Sequence, residues 1–203
     1  MRPVEDILRE GIDAGQFGGE LEPHGAHAMG FVSFLAEEGP TFSGHVVDIG
    51  SGAGLPALIL ADAYAQTRWT LVERRSGRAD LLKRAVRRLG LHDRVDVVSS
   101  DATIAGRTPL RGTADWVTAR SFGPPADTAE CAAPFLRAGG SLLTSEPFDT
   151  ELKERWPTDG LDRAGLVFEE EWTTDAGRYV RFTRTTSPIE ELPRSGARKQ
   201  PIF

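Results

Sequence analysis

The sequence predicts an α/β fold: a mostly parallel, seven-stranded sheet covered by helices and finished by an antiparallel hairpin. Three observations predict it. From residue 45 onward, strand-like and helix-like segments alternate, which implies βαβ units and hence parallel strands. The first strand ends in three alternate glycines before a helix begins, "VVDIGSGAGLPALILA". Near the end, "LVFEEEWTTDAGRYVRFTRTT" reads as two strands around Asp175-Ala-Gly177, the pattern of a hairpin.

Taken in order, residues 1–40 read as an N-terminal helical segment interrupted by the glycine-rich "GIDAGQFGGE". Within it, Ala28, Phe31, Phe34 and Leu35 recur at helical spacing. His24 and His27 read there as polar residues of a helix start rather than a metal pair, because no third or fourth ligand is near. Residues 41–187 form the predicted domain, with strands at 45–50, 68–73, 95–99, 114–119 and 140–145. Helices are expected at 54–66, 76–90 and 125–137. Residues 188–203 form a basic tail that carries proline and glycine.

Composition bounds the function. The apolar and charged fractions, 39% and 27%, are ordinary for a soluble globular protein, and no run approaches a membrane span or a signal sequence. Cytoplasm is therefore the expected location. A single cysteine, Cys131 in "AECAAP", excludes a disulfide framework and a cysteine-based zinc site. It has no base or cation beside it in sequence and reads as a small core residue. The net charge of −6 argues against a general nucleic-acid binder, but the charges segregate. Residues 73–94 carry eight Arg/Lys against three Asp/Glu, while residues 145–175 are rich in acid.

The glycine junction carries the chemistry. In a parallel sheet, ligands bind beyond the carboxyl ends of the strands. Gly50, Gly52 and Gly54 would let the backbone turn there and approach a ligand closely. Two cofactors compete for the loop. Gly52-Ala-Gly54-Leu-Pro-Ala57 fits the loose dinucleotide fingerprint, with Glu73 where a ribose-binding acid belongs. Asp48-Ile-Gly50-Ser-Gly52-Ala-Gly54, an acid two residues before alternating glycines, instead resembles the first motif of S-adenosylmethionine (SAM) enzymes.

Three features favour SAM. Pro56 removes an N–H where a pyrophosphate would want donors. Asp101 supplies a further acid after the third strand, and the chain has neither room for a dehydrogenase's second domain nor a Tyr-x-x-x-Lys pair. The expected fold is then the Rossmann-like one of class I SAM-dependent methyltransferases. Asp48 would attend the cationic methionine end and Glu73 the ribose hydroxyls, with Ser51 inside the loop and Arg74 beside Glu73 as further cofactor candidates.

On the helix at 76–90, Leu82, Ala85, Val86 and Leu89 form one face and Lys83, Arg84, Arg87 and Arg88 the other. Four like charges at i, i+4 spacing fit a solvated face or a contact with RNA phosphates, to which Arg194, Arg198 and Lys199 of the tail would add. The acceptor is narrowed by absences. Arg120-Ser-Phe-Gly-Pro-Pro125 does not match the loop that methylates exocyclic adenine amines, and no cysteine is placed for cytosine C5 chemistry. Guanine N7 offers an in-plane lone pair and needs positioning rather than a base.

The segments "VVDIGSGAGLPALILA", "TLVERRSGRADLLKRAVRRLGL", "DWVTARSF", "PFLRAGGSLL" and "PRSGARKQPIF" resemble the RsmG (GidB) family, bacterial methyltransferases of guanine N7 in small-subunit rRNA. The resemblance spans about residues 45–145 and the tail. It matches Asp48 to Pro56, Ala119-Arg120, and Pro193 to Pro201. It implies that Gly50, Leu55, Asp101, Ala102 and Arg120 line the SAM site, with Arg120 also facing the reaction, and that small-subunit rRNA is the partner. The chain departs from the family pattern at Ser100-Asp101-Ala102, at Ser145-Glu146-Pro147 in place of Lys-Gly, and in its N-terminal segment. Those departures leave open a small-molecule acceptor on the same fold, or a non-catalytic SAM-binding regulator.

Overall fold

The computed structural model describes residues 3–13, 15, 18–33, 42–186, 189–194 and 201–203. Seven strands form one sheet: β1 (Gly44–Ile49), β2 (Thr67–Glu73), β3 (Val95–Ser99), β4 (Ala114–Ala119), β5 (Leu136–Glu146), β6 (Leu166–Thr174) and β7 (Gly177–Arg184). Their order is β3-β2-β1-β4-β5-β7-β6. Neighbours from β3 through β5 pair in parallel, and β7 pairs antiparallel with both β5 and β6. The order reverses between β1 and β4, so the crevice for a ligand opens at the carboxyl end of β1. The predicted hairpin is present, with Asp175-Ala176 at its tip.

The helices differ from expectation mainly at their ends. The helix after the glycine loop runs only over Ala57–Ala63, because Pro56 stands at its N-cap. The basic helix spans Ser76–Arg88 and buries Ala79, Leu82, Ala85 and Val86. The helix expected to reach residue 137 stops at Ala132. A single 3-10 turn, Ala133–Phe135, follows around Pro134, which lacks the N–H a continuing helix needs. β5 therefore begins four residues earlier than the alternation suggested, at Leu136 instead of 140.

Two helices precede the sheet, α1 (Pro3–Asp13) and α2 (Leu21–Gly30). Numbered in chain order, the others are α3 (Ala57–Ala63), α4 (Ser76–Arg88), α5 (Ala102–Ala105), α6 (Pro125–Ala132), α7 (Leu152–Arg155) and α8 (Thr158–Ala164). Val4 and Leu8 of α1 and Leu21 and Ala28 of α2 are buried in the same cluster as Leu58, Trp69 and Leu82. The N-terminal helices are thus part of one face's core. Cys131 lies in the cluster of the other face, fully buried among Ala129, Ala132 and Phe135. Phe34 and Leu35 fall outside the described residues. Among the described residues no helix is long and apolar enough to cross a membrane.

Candidate cofactor and acceptor site

The carboxyl ends of the parallel strands bring four acids to one edge of the sheet. Asp48 lies next to last in β1, Glu73 ends β2, Asp101 follows β3, and Glu146 ends β5. Their neighbours differ, and so do their roles.

Asp48 is buried at 1% exposure. Its Oδ1 accepts a 2.6 Å bond from Thr118 Oγ1 on the adjacent β4, while Oδ2 is buried with no protein partner. Burial pushes its carboxyl up to about 7, against the opposing pull of Thr118, Ser51 and Arg120. A buried acceptor left open in this way suits a ligand that brings positive charge. Ser51 Oγ donates to the Asp48 backbone carbonyl, and so serves the loop's own geometry.

Glu73 holds the glycine loop in place. Its Oε2 accepts from the Gly52 N–H at 2.9 Å and its Oε1 from the Arg75 N–H at 2.7 Å. Each carboxylate oxygen keeps a second acceptor position, and Glu73 also lines the cleft that opens over Gly50. The loop is further tied to β2 through the Gly50 and Ser51 N–H groups, both donating to Val72 O.

The glycines serve different ends. A Cβ on Gly50, at φ +70°, would sit 2.8 Å from the Phe122 ring, so absence of a side chain lets that ring close over the loop. A Cβ on Gly54, at φ +97°, would collide with Leu58 and approach Leu82 at 3.2 Å. Gly54 therefore serves helix packing beneath the loop.

A cleft of about 350 Å³ opens here, lined by Gly50, Glu73, Arg74, Ser100, Ala102 and Phe122 among others. Of the residues expected to bind cofactor, Gly50, Glu73, Arg74 and Ala102 form its wall. Leu55, by contrast, is buried in the core. Asp101 turns its carboxylate into the start of α5, where Oδ1 accepts from the Thr103 N–H at 2.9 Å and Thr103 Oγ1 at 2.8 Å. The residues present fit a ligand with a cationic end, a diol and a flat heterocycle, the three parts of SAM.

Arg120 stands just past β4, half-buried, and its Nη2 lies 2.9 Å from His24 Nδ1 on α2. Burial draws its guanidinium below the ordinary value, while Tyr179 and Asp48 oppose this. His27, one turn further along α2, is pushed down to about 4 by burial and by the neighbouring charges of Arg120 and His24, so it is neutral at pH 7. His24 and His27, polar residues of a helix start in the sequence, stand at i, i+3 spacing on one side of α2.

Directly after Arg120 the chain turns sharply. Ser121 adopts φ +51°, the only non-glycine residue with positive φ among those described. Holding serine there costs on the order of 1 kcal/mol, and such strain collects at functional sites. Ser121, Phe122 and Gly123 line the cofactor cleft on one side and a second cavity of about 320 Å³ on the other. That cavity is walled by His27, Thr144, Glu146, Arg155 and Trp156. Arg75 and Arg78 also line the cofactor cleft. Both fall in the same basic stretch of sequence as Arg74, with no motif to single them out.

The basic residues proposed for RNA divide. Arg84 and Arg87 are exposed on α4, whereas Lys83 lies 3.3 Å from Asp80. Arg88 makes a two-pronged pair with Glu10 of α1, at 2.5 and 2.8 Å. Arg194 is bound through its backbone N–H, Nε and Nη2 to Glu130, which is fully buried. Arg88 and Arg194 thus anchor segments of the protein to one another. Arg198 and Lys199 lie outside the described residues.

The strand order, with an antiparallel hairpin at one edge and the cleft at the switch point, is that of the class I SAM-dependent methyltransferase fold. An O-methyltransferase family protein from Burkholderia thailandensis superposes with a TM-score of 0.60 at 14% identity, covering 78% of this chain and 56% of the other. A geranyl diphosphate C-methyltransferase from Streptomyces coelicolor A3(2), solved with S-adenosylhomocysteine, gives 0.57 at 14% identity, covering 77% and 79%. At such identity the likeness concerns the fold.

Sequence relatives narrow the class. Ribosomal RNA small subunit methyltransferase G of Prochlorococcus marinus (strain NATL2A) is 35% identical over 172 residues, 80% of this chain and 69% of that one. The protein of the same name from Chloroflexus aggregans is 37% identical over 132 residues, 64% of this chain and 52% of the other. Residues 25–153 match the family GidB, rRNA small subunit methyltransferase G. The chain belongs to that family.

Proposed function

We propose that this enzyme transfers the methyl group of SAM to N7 of a guanine in small-subunit rRNA. The observation that carries the reading is the pair of cavities sharing the Ser121-Phe122-Gly123 wall. A methyl donor on one side and an acceptor on the other would meet at that loop, beside Arg120. The relatives' names supply the class of acceptor.

The residues divide the work as follows. Asp48 Oδ2 faces the ammonium of the methionine moiety, whose positive charge favours the ionised carboxyl. The open acceptor positions of Glu73 take the ribose hydroxyls. Ser100 and Ala102 bound the adenine end, and Arg74, Arg75 and Arg78 present cations at the rim, where phosphates of an RNA would pass. Arg84 and Arg87 extend that surface along α4.

The chemistry asks little beyond alignment. The N7 lone pair attacks the sulfonium methyl, the new N–C bond forms as the S–C bond breaks, and the electron pair returns to sulfur as the thioether of S-adenosylhomocysteine. N7 carries no proton, so no base is required. Incubation with labelled SAM and unmodified small subunits, followed by chain cleavage specific for 7-methylguanine, tests the assignment. Label at a single cleavable guanine supports it. Label confined to a metabolite pool would favour a small-molecule acceptor.

A further inference from the structure

The second cavity contains a feature outside the transfer chemistry. Glu146 ends β5 with its side chain only 2% exposed, and its Oε2 accepts a 2.6 Å bond from Arg155 Nε. Among the described residues, Oε1 makes no hydrogen bond. The cavity wall pairs this carboxylate with two aromatic side chains, Phe122 and Trp156. Its volume, about 320 Å³, is at the small end of ligand pockets and suits one planar ring system.

We propose that Glu146, braced by Arg155, is the residue that selects guanine by accepting hydrogen bonds from its N1–H and 2-amino group. The proposal rests on the guanine-N7 reading above. A guanine offering N7 toward the shared loop presents both donors on its far edge, where a carboxylate answers them together. Adenine would bring a bare N1 lone pair against the same oxygens and lose affinity through repulsion and an unmet acceptor. Arg155 balances the buried charge, which would otherwise be costly to hold in the wall. Phe122 and Trp156 supply faces on which an unstacked base can lie, the usual way a single-stranded base is held.

The test compares small-subunit RNA carrying guanine at the methylated position with the same RNA carrying inosine there, which keeps N7, O6 and N1–H but lacks the 2-amino group. Wild-type enzyme is expected to prefer guanine about tenfold in kcat/KM. Glu146→Gln should lower the guanine rate and bring the guanine-to-inosine ratio to about one. The double variant Glu146→Gln with Arg155→Gln, which leaves no unpaired charge, should show the same ratio. A rise in melting temperature with S-adenosylhomocysteine equal to that of the wild-type enzyme certifies the fold in both. A purely structural role would slow both substrates equally, so a ratio that stays at the wild-type value overturns the proposal. Failure of wild-type enzyme to label the RNA at all would instead overturn the acceptor assignment on which it rests.

Discussion

Asp48 combines two opposed demands in one carboxyl. Burial makes ionisation costly, while a cofactor with a cationic end needs the ion. With the folded value raised to about 7 from an ordinary 3.8, protonation favours the folded, unliganded protein. Its contribution therefore declines as pH rises between those values, by on the order of 4 kcal/mol in total. Ligand binding has the reverse sign: affinity for S-adenosylhomocysteine should rise with pH, by up to tenfold per unit below about pH 7, and then level off. Calorimetric titration checks this, with Asp48→Asn expected to bind weakly and to flatten the profile. Gly54 supplies a second test at this scale. Gly54→Ala combines a left-handed backbone with overlap onto Leu58, and should destabilise by roughly 2–4 kcal/mol in urea unfolding. The alternating glycines were legible in sequence as a sharp strand-to-helix turn. That Gly54 must also leave room for Leu58 and Leu82 was not, because only the fold brings them beneath it.

At the scale of elements, the alternation of strand and helix marked the five parallel strands, and the hairpin pattern around Asp175-Ala-Gly177 marked the last two. Two of the boundaries that moved did so at prolines: Pro56 delayed α3, and Pro134 ended α6 and released β5 early. The acceptor cavity was much less legible. It is assembled from α2, the turn after β4, the end of β5 and the α7 region, segments separated by over a hundred residues and joined by no local pattern. Arg194 illustrates the same limit. In sequence it belonged to a basic tail, yet its partner Glu130 lies 64 residues away and wholly buried. Arg194→Ala should cost about 3 kcal/mol by leaving that carboxylate unpaired, and Glu130→Gln in the same chain should recover part of the loss. Equilibrium unfolding of the single and double variants checks it. Loss of RNA affinity with unchanged stability would return Arg194 to the RNA surface.

Across the whole molecule, a net charge of −6 coexists with cations at the cleft, Arg74, Arg75 and Arg78, and with exposed Arg84 and Arg87 on α4. Binding of rRNA by these cations should weaken steeply with salt, whereas cofactor binding, governed by buried groups, should change little. The ratio of the two salt slopes separates a polyanionic acceptor from a small one. If the twin cavities serve SAM and a guanine of small-subunit rRNA, labelled methyl should pass from SAM to unmodified small subunits, read by 7-methylguanine-specific cleavage. Label is expected at one guanine, and lost when Arg120 is changed to Ala. Cofactor binding without label in the RNA would contradict it.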